Sequence, residues 1–327
     1  MIDSIEGILR TLLALLVVMG VGGFLRKRGL VGHGSTESMR RIVADVGFPA
    51  LCLHGLSGMS RDELGRGTPV VAAGFFVLAI AAIVGAGVAR VSVTAPKRGA
   101  FAFAAAIGNW IFLPLPIAKA LYGDEGERTV LLFNTGAQVF LWTFGVGLLD
   151  GRPGSSPADG PAAASMTGRA RRVVRNPGLW ATAIGIASAT AGFGTAKVPV
   201  LGDVLVMLGS LTIPLAALAI GASLAESSPS SEPSRSPALS ILVVTRLVIV
   251  PVVTTVLLAT LLRMVPGCFT KCGTVVLVIV SAMPVSLTAG TLVPEADSPF
   301  VARAILASTL FSVVTVPLFF AVATHLP

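Results

Sequence analysis

Charge is scarce in this 327-residue chain: Asp, Glu, Lys and Arg make up 12% of it, about half the share of an average soluble domain. Only three histidines occur, His33, His54 and His325, and their spacing excludes the HExxH pattern of a helical zinc hydrolase. No GxSxG nucleophile elbow is present, and no two acids sit together inside an apolar run. These absences argue against an enzyme and call for no cofactor or metal. Cysteine is equally sparse. Cys52 lies in an apolar run, and Cys268 and Cys272 are four apart, which fits neither a CxxC redox pair nor a metal site. A disulfide on an outer face stays open as a reading of that pair.

What the chain has is hydrophobicity. Hydrophobic residues make up 54% of it, and the mean hydropathy is +0.87. Apolar runs of about 18–25 residues recur from end to end, each long enough to cross roughly 30 Å of hydrocarbon. Asp3 and Glu6 precede the first run and Arg26, Lys27 and Arg28 follow it, the reverse of a cleavable secretory signal. The pattern predicts an all-α polytopic membrane protein. A net charge of +8 is of the kind that accompanies a nucleic-acid partner, but the basic residues gather in alternate loops between apolar runs, so none is expected.

Ten spans are predicted, at about 5–25, 41–59, 69–90, 99–122, 127–149, 178–195, 200–224, 238–262, 273–293 and 300–324. The stretch from 150 to 177 is rich in Gly, Pro, Ala and Ser and then basic. It reads as a flexible cytoplasmic linker between residues 1–149 and 178–327. A second polar loop, "SSPSSEPSRSP" at 227–237, reads as disordered. Counting Lys and Arg by loop, with Arg246 assigned to a cytoplasmic edge, gives sixteen on one side and eight on the other. This predicts a plasma-membrane protein with both termini extracellular. Five spans on each side of the linker force the second half to run inverted relative to the first, the arrangement of many secondary transporters.

Two spans carry interruptions in corresponding places. The fourth reads "GNWIFLPLPIAKALYG" from Gly108, with Pro114 and Pro116, and the ninth reads "VIVSAMPVSLTAG", with Pro284. Proline removes a backbone donor and clashes with the preceding turn. Freed backbone groups cost several kcal/mol each in lipid, so the breaks must face protein or a polar cavity. If the broken helices meet, their loose amides and carbonyls become ligands for a solute. Asn109, Ser281, Ser286 and Thr288 would add polar groups at the same depth.

These residues resemble the auxin efflux carrier family, whose bacterial members are PIN-like permeases. The resemblance rests on the fourth-span segment with Asn109, Pro116, Lys119, Tyr122 and Gly123, on "FPALCLH" with Pro49 and His54, on "RNPGLW" at 175–180 and on "AMPVSLTAG" around Pro284. It implies the fold of the bile-acid symporters, with crossed helices 4 and 9. Helices 1, 2, 6 and 7 would form a scaffold that often dimerises, and the other six a mobile transport domain. Two departures stand out. Pro114 occupies a position the family usually gives to glycine, and the ninth span ends in "TLVPEADS" without the family's usual aromatic residues.

Other polar residues have two readings each. Asp45 follows Arg41 by four, which suits a helical ion pair near the cytoplasmic edge; coupling or gating is the alternative. His54 is either a packing histidine or a titrating switch. Asn134 and Gln138 share a helix face and either bond between helices or line the cavity behind the crossover. Lys119 is placed to snorkel toward the outer face. The substrate-binding candidates are thus Asn109, Pro116, Pro284, Ser286, Thr288, Asn134 and Gln138, with Asp45 and His54 for coupling or gating. The expected function is secondary transport of a small organic anion by alternating access across the lipid bilayer. A solute-sensing receptor of the same fold and a sodium-coupled symporter are the alternatives, with proton or sodium coupling and a homodimer left open.

Overall fold

The computed structural model describes residues 2–149, 176–226 and 236–327. The linker and the second polar loop therefore lie almost wholly outside the described residues. Among those residues the chain is helical, and one isolated antiparallel bridge, Gly108 with Val285, is its only β-type pairing.

Helix α1 is Ile2–Lys27. α2, His33–Ile42, runs through a π turn, Val43–Gly47, into α3, Phe48–Ser57. α4 is Arg61–Ser92 and α5 is Arg98–Ala106. α6, Pro114–Phe140, turns at Gly123 (φ 59°) and continues through a π turn, Leu141–Gly145, into the 3-10 turn Val146–Leu149. The second half follows with α7, Pro177–Thr190, α8, Pro199–Ser210, and α9, Thr212–Glu226. α10, Pro237–Val244, passes through a π turn, Thr245–Ile249, into α11, Val250–Met264. The last elements are α12, Lys271–Ser281, α13, Leu287–Leu292, and α14, Ser298–Thr324.

Six helical stretches among the described residues are long and apolar enough to cross a membrane: Ser4–Lys27, Arg61–Ser92, Pro114–Leu149, Pro199–Ala225, Pro237–Met264 and Ser298–Thr324. The other expected spans take different forms. The second begins with the polar turns of α2, the sixth is the 14-residue α7, and the fourth and ninth are interrupted as their prolines require.

Proline also explains two π turns. Pro49 and Pro251 each lie two residues beyond one, after Gly47 and Ile249. A proline ring crowds the carbonyl four residues back, and widening the preceding turn relieves that contact without ending the helix.

Burial sorts the elements into an inner and an outer layer. Every residue from Ala100 to Ala106 in α5 and from Cys272 to Ser281 in α12 is buried, so these two half-helices form the centre. α1, α4, α11 and α14 expose Val17, Ile83, Val256 and Val314 on their outer faces. Apolar side chains turned outward around an apolar core belong in hydrocarbon rather than water. The chain is a multi-pass membrane protein.

The helices pack in two groups. α1 lies along α9, and α3 lies against α7 and α8. In the second group α4 packs on α5 and α6, and α12 packs on α6, α11 and α14. α1 and α3 also touch α6, and α1 touches α14, which brings the groups together around the centre.

Candidate functional site

α5 ends at Ala106, and helix resumes only at Pro114. α12 ends at Ser281, and α13 begins at Leu287. The two gaps meet. The Asn109 amide donates to the Pro284 carbonyl at 2.8 Å, and the Ser286 amide donates to the Ile107 carbonyl at 2.9 Å. The interrupted segments therefore pair as a minimal antiparallel ribbon across the centre of the protein.

Most of the backbone groups freed at the break are satisfied by the protein itself. The Trp110 amide donates to the Gly108 carbonyl, and the Leu115 amide to the Ile111 carbonyl. Asn109 Oδ1 accepts from the Phe112 amide at 3.1 Å, and Ser308 Oγ accepts from the Val285 amide at 3.1 Å. Pro114 and Pro116 lie in the first turn of α6 rather than in a helix interior. There the missing N–H would have had no intrahelical acceptor anyway. Neither proline donates to a solute, and few loose amides remain at this helix start.

Arg246 completes the accounting. It was counted above at a cytoplasmic edge, and the structure corrects that: it sits on the π turn between α10 and α11, only 3% exposed. Its Nε donates to the Met283 carbonyl at 2.8 Å, and its Nη1 to the Ala105 carbonyl at 3.2 Å. Its Nη2 reaches the Val280 carbonyl at 3.5 Å. The guanidinium lies against Gly108, where any Cβ would collide with it.

Beside the ribbon is a cavity of about 170 Å³ lined by Asn109, Asn134, Gln138, Asn176, Ser286 and Thr288, with Trp110 and Phe48 on its walls. Its four carboxamides are engaged in the same way. Each has its oxygen engaged by a protein donor: Asn109 by the Phe112 amide, Asn134 by Trp110 Nε1 at 3.0 Å, Gln138 by Trp142 Nε1 at 2.9 Å. Asn176, the N-cap of α7, accepts from the Gly178 and Leu179 amides at 2.9 and 3.3 Å. Amide and indole N–H groups only donate, so each engaged atom must be the oxygen. The four NH2 groups are left without an acceptor among the described residues. Ser286 Oγ accepts from the Thr288 amide at 3.1 Å, and its hydroxyl proton remains to be donated. No carboxylate lines this cavity. It is a nest of donors.

A wider cavity of about 360 Å³ adjoins it, sharing Ala44, Phe112 and Thr288, and extends along α2 and α9 past Glu37, Arg40, Arg41 and Asp45. Arg40 Nη2 donates to Ser223 Oγ at 2.5 Å. Asp45 sits exposed on the π turn after α2. Arg41 pairs with Glu37 at 3.0 Å, so the expected pairing of Arg41 with Asp45 is not the one formed.

His54 is elsewhere. Its Nδ1 lies 3.3 Å from Thr195 Oγ1, which also bonds Ser57 Oγ at 2.9 Å, and it lines neither crossover cavity. At this far end of the α2–α3 segment Arg128 pairs with Glu63 at 2.9 Å and reaches the Gly58 carbonyl at 3.3 Å. A third cavity of about 270 Å³ lies there, lined by Glu63, Arg66, Glu125, Arg128 and Thr270. Lys119 pairs with the buried Glu127 instead of standing alone. Ser281 is turned back onto the Val278 carbonyl of its own helix. Cys52, Cys268 and Cys272 are free thiols, so the disulfide reading of the last two does not hold. Among the described residues no group of three His, Cys, Asp or Glu side chains could hold a metal.

Of the seven binding candidates, Asn109, Asn134, Gln138, Ser286 and Thr288 come together around the small cavity. Pro116 and Pro284 shape the crossover without lining it. Arg246, Asn176 and Trp110 were missed. Asn176 carried a signal, since an Asn-Pro pair opening an apolar run marks a helix cap. Trp110 and Arg246 carried none that periodicity could separate from ordinary span residues.

A helical, multi-pass protein whose two interrupted segments cross beside a buried polar cavity has the form of a membrane transporter. The chain belongs to the membrane transport protein family, which matches residues 7–320. It is also similar to an uncharacterized transporter of Methanothermobacter thermautotrophicus, 24% identical over 222 residues that cover 67% of this chain and 68% of that protein. Its family is one of transporters, not of enzymes.

Proposed function

We propose that this protein is a secondary carrier of a small organic anion, with a carboxylate as the recognised group, and that its relatives by resemblance are the auxin efflux carriers. The observation that carries the reading is that Asn109, Asn134, Gln138 and Asn176 line one cavity and each has its oxygen engaged by a protein donor, which leaves four NH2 groups to donate. Neutral donors suit a carboxylate that must enter and leave, because a charge-assisted hydrogen bond is strong while a buried salt bridge would hold the passenger too tightly for turnover.

Alternating access is the mechanism in this proposal. The cavity is lined by Ala44, Phe48 and Asn176 from the first helix group and by Asn109, Asn134, Gln138, Ser286 and Thr288 from the second. Relative movement of the groups would open it first to one side and then to the other. The wider cavity past Arg40 and Arg41 is the entrance in the present conformation, and the Glu63–Arg128–Gly58 contacts close the opposite end. Ten crossings in two inverted halves, 1–149 and 178–327, are part of the same proposal. The matching positions of the two breaks, each between the third and fifth spans of its half, support it. The proposal also keeps a plasma-membrane location with both termini outside.

Uptake of radiolabelled carboxylates into proteoliposomes tests the reading. Wild-type protein should move at least one small carboxylate, and Asn109→Asp and Asn134→Asp should abolish that flux while the protein stays folded. Absence of flux across a broad panel, with carboxylate binding retained, would favour the receptor alternative.

A further inference from the structure

We infer that Arg246 is a resident cation, filling the place at the crossover that a bound monovalent ion would otherwise take, so that the transport cycle proposed above needs no sodium. Two half-helices end at this point, α5 at Ala106 and α12 at Ser281. Each C-terminus presents carbonyl oxygens and about half an elementary negative charge. The two sum to roughly the charge of one guanidinium.

The guanidinium is aimed at those ends: Nε bonds the Met283 carbonyl at 2.8 Å, Nη1 the Ala105 carbonyl at 3.2 Å, and Nη2 the Val280 carbonyl at 3.5 Å. No described carboxylate pairs with it. A buried charge needs a counter-charge, and here only main-chain dipoles supply one. Carbonyls at half-helix C-termini are the same acceptors that coordinate sodium in transporters with broken helices. The five N–H groups of arginine occupy three of them at once and stay charged throughout the cycle.

Gly108 marks the consequence for the site. It lines the anion cavity on one face and touches the guanidinium on the other. Arg246 is thus a positioning residue. It fixes the crossover and lends its field to the passenger without lining the cavity.

The test is thermal unfolding of purified protein without substrate, in sodium chloride against choline chloride of equal ionic strength. Wild type should show the same Tm in both. Arg246→Ala should lower the Tm, and millimolar guanidinium or sodium, but not choline, should restore part of the loss in a saturable way. Arg246→Lys should hold most of the stability and stay indifferent to sodium. Saturable stabilisation of wild type or of Arg246→Lys by sodium would overturn the inference, and so would an Arg246→Ala protein as stable as wild type. If Arg246→Ala does not fold, wild type and Arg246→Lys decide alone. None of these readouts depends on flux, so failure to transport carboxylates would sink the functional reading and leave this one standing.

Discussion

The Trp110 indole donates to Asn134 Oδ1 at 3.0 Å, in a fully buried contact that joins the broken segment to the middle of α6. The bond fixes which end of the Asn134 amide meets the cavity. Asn134→Asp keeps the acceptor for Trp110 and replaces the NH2 with a negative oxygen. Loss of one hydrogen bond to a charged ligand, worth about 1.5–3 kcal/mol, weakens carboxylate binding by about 10- to 100-fold even before repulsion is counted. Binding measured by thermal shift should fall by at least that factor. Trp110→Phe frees the amide to rotate and should cost less.

Asn176 separates a structural role from a binding role. Its oxygen caps α7, its NH2 is left to donate, and the residue lines the cavity. Asn176→Asp preserves the cap and should leave the Tm near wild type while reducing carboxylate affinity. Asn176→Ala loses both, with about 1 kcal/mol of stability going with the cap. Equal Tm and equal affinity in all three proteins would remove Asn176 from the site.

The contact between Gly108 and Arg246 predicts a steep local penalty. Gly108→Ala drives a methyl into the guanidinium, and overpacking of this kind costs about 1–3 kcal/mol. Gly87→Ala, on an open face of α4 where nothing lies within 4 Å, should be neutral. Unfolding temperatures of the two variants should differ accordingly.

At the far end Arg128 of α6 pairs with Glu63 of α4 inside the second group and reaches the Gly58 carbonyl of the first, so the alternating-access proposal predicts that removing the Arg128 side chain shifts the protein toward its other conformation. Cys272 is buried beside Thr129, with 3.6 Å between its Sγ and Thr129 Oγ1. In a Cys268→Ser background, an impermeant thiol reagent should leave Cys272 unmodified. Adding Arg128→Ala, which removes the Gly58 contact, should speed its labelling several-fold. An unchanged rate would mean that the Arg128–Gly58 contact does not hold that end shut.

Much of the architecture was legible because proline acts locally. Pro114, Pro116 and Pro284 announced two breaks, whereas the turn at Gly123 that joins the fourth span to the fifth emerged only from the structure. The role expected of the loose backbone was less accurate. Which groups stay unbonded depends on residues distant in the chain, such as Ser308 on the Val285 amide and Arg246 on three carbonyls. Side-chain amides, rather than main-chain groups, supply most of the free donors. Arg246 was misplaced because a basic residue near a polar loop normally marks a membrane edge, and only the π turn before Pro251 shows it aimed inward.

The most direct measurement compares binding of a small carboxylate with binding of its own primary amide. The two have nearly the same shape and differ chiefly in charge. A protein whose cavity is lined by four carboxamides with unbonded NH2 groups should be stabilised by the carboxylate in its wild-type form, and by neither ligand in Asn134→Asp. Equal or stronger stabilisation by the amides across the panel, or carboxylate binding that survives in Asn134→Asp, would contradict the account.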